Sequence, residues 1–268
     1  MTVKLIKTQL NYFDQKINAL AFLPDPSVEI KKGMAVFTHG YTSHKASILN
    51  WPTRLVEEGM PALIFDLPGH YLGGFSEVDS FDTFKTETPK LFLQGLEVLK
   101  QLFIENFPLN EHFLDDPEMS YIFGGHSLGA MMSLYAIDLE QAKAIKASSI
   151  CVGLGLPPEG VTHIFDTPFY KSTLVIRGQL VSPNLDPKKV FPWIKEAKEK
   201  MTISGHKVHF ITGKDDLVVG EDGTERMAKI LSDHGNEVSV EKPTKLPHHQ
   251  PELAAGQVKK YLKKQGIL

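Results

Sequence analysis

The chain has a single cysteine in 268 residues, so no internal disulfide can staple it and a reducing compartment suits it. That residue, Cys151, lies in the run Ser149-Ile150-Cys151-Val152 and reads as a buried strand position rather than a reactive thiol. An excess of either charge is equally missing: 29 Lys and Arg against 32 Asp and Glu leave a formal charge of −3. Without a broad basic field, nucleic acid is not expected as a partner. No apolar stretch approaches the ~20 residues needed to cross a bilayer, so membrane insertion is not expected either. Met1 to Lys7 lacks the apolar core and small-residue cleavage site of a secretory leader, and the cytoplasm is the expected location. Internal repeats and low-complexity tracts are absent, which removes solenoids and linkers. What remains is an ordinary globular composition, 42% hydrophobic and 23% charged, long enough for one large domain over 1–268. Nothing in it points to an oligomeric state.

What is present is an alternation. Short apolar runs at 3–10, 17–23, 34–38, 61–65, 120–124, 148–154, 207–212 and 238–240 read as strands. Helical periodicity separates them at 47–58, 88–106, 224–234 and 251–264, and in a stretch just after residue 127. In 88–106 the stripe is Phe92, Leu96, Leu99 and Phe103. Strands that are apolar throughout need cover on both faces. The expected class is therefore α/β, a mainly parallel sheet of about eight strands with helices on both faces. Lys259, Lys260, Lys263 and Lys264 near the last helix's end read as a solvated face favoured by the helix dipole.

The chain turns on Tyr121-Ile122-Phe123-Gly124-Gly125-His126-Ser127-Leu128-Gly129-Ala130. An apolar run ends in two glycines, a serine follows at G-x-S-x-G spacing, and a helical stretch begins at once. Strand, sharp turn and helix write that order, with glycines where neighbours approach without room for a Cβ. The turn puts the Ser127 hydroxyl at the positive end of a helix. A serine attacks only when a base takes its proton, and the base needs a group that holds its tautomer. The expected chain order is serine, acid, histidine.

Asp216, three residues past Gly213 at a strand end, is the favoured acid, with its neighbour Asp215 the alternative. His248 is the favoured base, ahead of the helix-starting Pro251, with His249 the alternative. The N–H groups of Leu128 and Tyr41 are the candidate donors to an oxyanion. Asp66, His39 and His126 read as residues that shape turns. G-x-G-x-x-G spacing is lacking at 124–129, which argues against a nucleotide-dependent oxidoreductase.

Together, His39-Gly40-Tyr41-Thr42, Asp66-Leu67-Pro68-Gly69-His70, Gly125-His126-Ser127-Leu128-Gly129, Gly213-Lys214-Asp215-Asp216 and His248 resemble the α/β-hydrolase family of serine esterases, lipases and thioesterases. The resemblance spans nearly the whole chain. It implies oxyanion loop, structural turn, nucleophile elbow, acid and base at those five places. It also implies no metal or organic cofactor, and a small-molecule ester or thioester as substrate. Acyl transfer, amide hydrolysis or a binding module of the same fold are the alternatives. The family commonly has a glycine before its base histidine, where this chain has Leu246-Pro247.

Residues 156–204 break the alternation. Pro157, Pro158, Pro168, Pro183, Pro187 and Pro192 crowd there with Phe165, Phe169, Tyr170, Phe191 and Trp193. An inserted cap over the active site is expected, with Phe165, Phe169, Tyr170 and Trp193 walling the substrate pocket. A plain crossover that packs its aromatics into the core is the other reading.

Overall fold

A computed structural model describes residues 3–158, 160–161 and 168–268. The hairpin of β1 (Lys4–Tyr12) and β2 (Gln15–Leu23) opens the chain, followed by β3 (Gly33–Thr38), α1 (Asn50–Val56) and β4 (Ala62–Phe65). Helices α2 (Phe81–Glu87) and α3 (Lys90–Asn106) precede β5 (Ser120–His126), α4 (Leu128–Ile137), α5 (Glu140–Ala144) and β6 (Ser148–Val152). A long crossover carries α6 (Pro168–Lys171), α7 (Leu174–Gln179) and α8 (Pro187–Glu199). Then come β7 (Lys207–Ile211), α9 (Gly223–Asp233), β8 (Glu237–Glu241) and α10 (Ala255–Lys264).

The eight strands form one sheet in the order β1-β2-β4-β3-β5-β6-β7-β8. β1, β2 and β4 pair antiparallel, and every pairing from β4 through β8 is parallel. Because strand side chains alternate, each central strand feeds two cores. Val36, Leu63, Phe65, Phe123, Cys151 and Phe210 join the core under α3, α4 and α9. Ala35, Phe37, Ile64, Ile122, Ile150 and Ile211 join the opposite core under α1 and α10. The α3 stripe of Phe92, Leu96, Leu99 and Phe103 is fully covered, each side chain worth roughly 1.5–3 kcal/mol of burial. Cys151 is buried, and that burial pushes its thiol up to about 12.

The helix read over 47–58 is split into a 3-10 turn, Lys45–Ile48, and the shorter α1. Helix α2 had no expectation at all. Its Ser80 cap, which accepts the Thr83 N–H at 3.0 Å, was the available signal. The lysines of α10 are not simply solvated: Lys259 and Lys263 bracket Glu58, and Lys260 pairs with Glu241. Such surface pairs contribute little to stability. Among the described residues no helix is long and apolar enough to cross a membrane.

The crossover between β6 and β7 lies along the loop after β4. Ser182 N–H donates to Gly69 O at 2.8 Å and Tyr71 N–H to Leu180 O at 2.9 Å. The Tyr41 hydroxyl donates to Leu185 O at 2.6 Å, and Arg177 Nη1 to Thr42 Oγ1 at 2.8 Å. This segment therefore sits over the C-terminal ends of the parallel strands, where ligands bind in open α/β sheets.

Candidate active site

Ser127 stands between β5 and α4 with φ 51 and ψ −111, a conformation that side-chain-bearing residues rarely adopt. The neighbouring glycines make it possible. A Cβ on Gly125 would sit 2.5 Å from Thr38 O and 2.7 Å from the Gly129 carbonyl carbon. One on Gly129 would sit 2.4 Å from His39 O. Strand, helix and the β3 end are thus in backbone contact, and the serine side chain is the part of the turn turned outward.

The loops after β7 and β8 are joined in the same way. A Cβ on Gly213 would lie 2.1 Å from Leu246 O, so only glycine lets the two loops touch. Asp215 Oδ1 accepts the Leu246 N–H at 2.8 Å and holds the second loop in place. Next to it, Asp216 is buried and turned the other way. Its Oδ1 accepts the N–H groups of Val218 and Val219 at 2.9 and 3.0 Å. Its Oδ2 accepts from His248 Nδ1 at 2.9 Å. Burial pushes this carboxyl up, but the His248 ring and the two N–H donors outweigh it and hold it below the usual carboxylate range. With its proton on Nδ1, the ring presents Nε2 as an acceptor, 3.2 Å from Ser127 Oγ.

Leu128 is the first residue of α4, so its N–H belongs to the turn that lacks intrahelical acceptors. A Cβ on Gly40 would lie 3.4 Å from Ser127 Cβ, which sets the backbone of the following Tyr41 beside the hydroxyl. His126 is buried with its ring 4.8 Å from that of His248, and burial and that neighbour keep it neutral. His249 meets His248 edge-on at 5.5 Å.

Among the described residues, two cavities open on Ser127. The wider, about 440 Å³, is walled by Thr42, Ile176, Arg177, Phe191, His249 and Pro251 among others. The narrower, about 70 Å³, runs between Leu154, Phe191, Ile194, Val218, Val219 and Lys198. Both also touch Tyr41 and His248.

No family model matches the sequence, and no curated protein does. Solved structures do match over nearly the full length. A serine hydrolase without lid from Xanthomonas campestris superposes with a TM-score of 0.56 at 15% identity, covering 98% of this chain and 95% of that one. A thermostable carboxyl esterase from Bacillus coagulans gives 0.59 at 15% identity, covering 98% of both chains. A soluble variant of monoglyceride lipase from Saccharomyces cerevisiae gives 0.60 at 13%, covering 96% of this chain and 94% of the other. The chain has the α/β-hydrolase fold.

Within that fold the residues named from sequence have mixed fates. Ser127, His248 and Asp216 converge in one hydrogen-bonded line, with Tyr41 and Leu128 beside it. Trp193 does not wall either cavity. It packs edge-on against Phe81 at 5.3 Å and leans on the core, because it lies on the α8 side that faces α2. Phe165 lies outside the described residues, as do the side chains of Phe169 and Tyr170. The α/β-hydrolase pocket instead takes Phe191, Ile194, Lys195 and Lys198 from α8 and Ile176 and Arg177 from α7. The α8 set falls at i, i+3, i+4 and i+7, one helix face, so a period-3.6 reading of 187–199 was the signal that would have found it.

Proposed function

We propose that the protein is a serine hydrolase that cleaves a carboxylic ester or thioester through an acyl-enzyme intermediate. The observation that carries this reading is the line Asp216–His248–Ser127, at 2.9 and 3.2 Å, ending in a cavity. Ser127 Oγ attacks the carbonyl carbon as its proton passes to His248 Nε2. Asp216 holds the ring's tautomer and stabilises the imidazolium, remaining ionised itself. The tetrahedral oxyanion takes hydrogen bonds from the Leu128 and Tyr41 N–H groups, each worth on the order of 10²–10³-fold in rate. The intermediate collapses, the C–O or C–S bond breaks, and the leaving group takes the proton from Nε2. Water, deprotonated by the same nitrogen, then attacks the acyl carbon and releases the acid and Ser127.

In this reading the crossover 156–204 acts as a cap that supplies Phe191 and Arg177 to the pocket. Similarity of fold to an esterase and a lipase favours oxygen esters among the acyl compounds the line can process. A fluorophosphonate probe should label the protein and not its Ser127→Ala variant. A chain-length series of 4-nitrophenyl and acyl-CoA esters then gives the substrate class. An unlabelled wild-type protein that turns over no ester sinks the reading.

A further inference from the structure

Lys198 lies on α8, between Ala197 and Glu199, and its half-buried side chain reaches the narrow cavity on which Ser127 and His248 also open. The walls around it are mostly apolar, Leu154, Phe191, Ile194, Val218 and Val219 among them, with Lys195 also on the lining. The ammonium donates to Gly155 O, one acceptor for three N–H bonds. Among the described residues no carboxylate lies within ion-pair reach of it, whereas its neighbour Lys195 is matched by Glu199 at 2.7 Å. Burial pulls the amine down to about 8, against the pull of Glu199 and Asp216, so near neutral pH it still carries its charge. A cation held among apolar walls with a single carbonyl is poorly compensated, and an arriving anion makes up the deficit.

We infer that the narrow cavity receives a short substrate arm that ends in a carboxylate, and that Lys198 binds it while the wider cavity takes the rest. This rests on the serine-hydrolase reading of Ser127. It makes the preferred substrate a hemiester of a short dicarboxylic acid or an ester of a short hydroxy acid. Either source brings the same carboxylate to Lys198. The residue acts on specificity and touches no reacting atom.

Matched pairs of esters test it on the full chain. Charge on the acyl arm is compared with 4-nitrophenyl hydrogen glutarate against 4-nitrophenyl pentanoate. Charge on the alcohol arm is compared with 3-acetoxypropanoate against butyl acetate. In one pair kcat/KM should favour the charged member by roughly 10–100-fold, the value of a charge-assisted hydrogen bond. Lys198→Met should lower that charged-to-neutral ratio by the same factor. Titration of glutarate into Ser127→Ala protein should show binding that uncharged pentanamide does not match and that adding Lys198→Met removes. The ester pairs and the comparison of glutarate with its neutral counterpart in Ser127→Ala protein need no Lys198 variant, so poor folding of that variant does not shield the inference. Preference for the neutral member in both pairs, with Ser127 still labelled by fluorophosphonate, overturns it and leaves the hydrolase standing. A preference that survives Lys198→Met and disappears in Arg177→Met also overturns it. Glutarate held through Lys198 in a protein with no labelling and no turnover keeps the anion site and removes the hydrolase.

Discussion

Two buried histidine–aspartate pairs stand at the same rim of the sheet, and only one faces a hydroxyl. After β3 and β4, His39 and Asp66 lie 3.6 Å apart, both buried. His39 Nδ1 donates to Gly40 O at 2.8 Å and its Nε2 accepts the Leu67 N–H at 2.9 Å, so both nitrogens are held by backbone. Asp66 is taken by Lys45, whose N–H and Nζ reach it at 2.7 and 2.6 Å. That pair closes a turn. His248 also has one nitrogen fixed, by Asp216, but the other points to Ser127 at the mouth of a cavity. The residue types are the same. What separates a base from a brace is whether one ring nitrogen is left for a proton that has somewhere to go.

Breaking the Ser127 pair should have the largest effect. Ser127→Ala or His248→Ala should lower kcat on the best ester by on the order of 10⁴-fold or more, with the unfolding midpoint little changed. Asp216→Asn comes next, on the order of 10³–10⁴-fold. An amide at that position leaves the Val218 and Val219 N–H bonds possible but favours the wrong ring tautomer, which a shifted pH–rate profile would register. If Asp216→Asn stays active while Asp215→Asn collapses, the acid is misassigned.

The brace should respond in stability rather than in rate. Burial, chiefly, holds His39 and His70 down at about 3, against an ordinary value of 6.5. Between those values the unfolded chain binds the protons that the folded chain refuses. Stability is therefore complete above about pH 6.5 and declines as pH falls toward about 3, by about 1.4 kcal/mol per pH unit for each such histidine. Urea midpoints measured across that window should show the slope, and His39→Gln should make it shallower. The same variant should change kcat/KM by about tenfold or less, since the ring touches no reacting group. The smallest effect belongs to Asp215→Asn. Its Oδ1 can still accept the Leu246 N–H, so kinetics should stay within a few-fold of wild type.

The strand and helix alternation was legible because it depends on short-range periodicity, and all eight strands appear near their expected places. The elbow was legible because Gly125 and Gly129 answer a local steric demand that no other residue meets. Helix α2 escaped, being only seven residues with one fully buried side chain, Phe84, too short for a periodic signal. Trp193 was misread for a related reason: an aromatic in a proline-rich segment says that something will be covered, not which side of α8 covers it.

Within the pairs Asp215/Asp216 and His248/His249, sequence position could rank the members but not orient them. Adjacent side chains in a tight loop point in different directions, and packing chooses between them. Local sterics and hydrophobic period thus determined, from the sequence by itself, the sheet, the helices α3, α4, α9 and α10, and the strained serine turn. Only the tertiary structure decided which carboxylate reaches which ring, and that Arg177 and Lys198 face the cavities beside the serine. Ser127 and His248 are 121 residues apart, and their meeting depends on the packed sheet and the glycine contact between two loops, which no local pattern encodes.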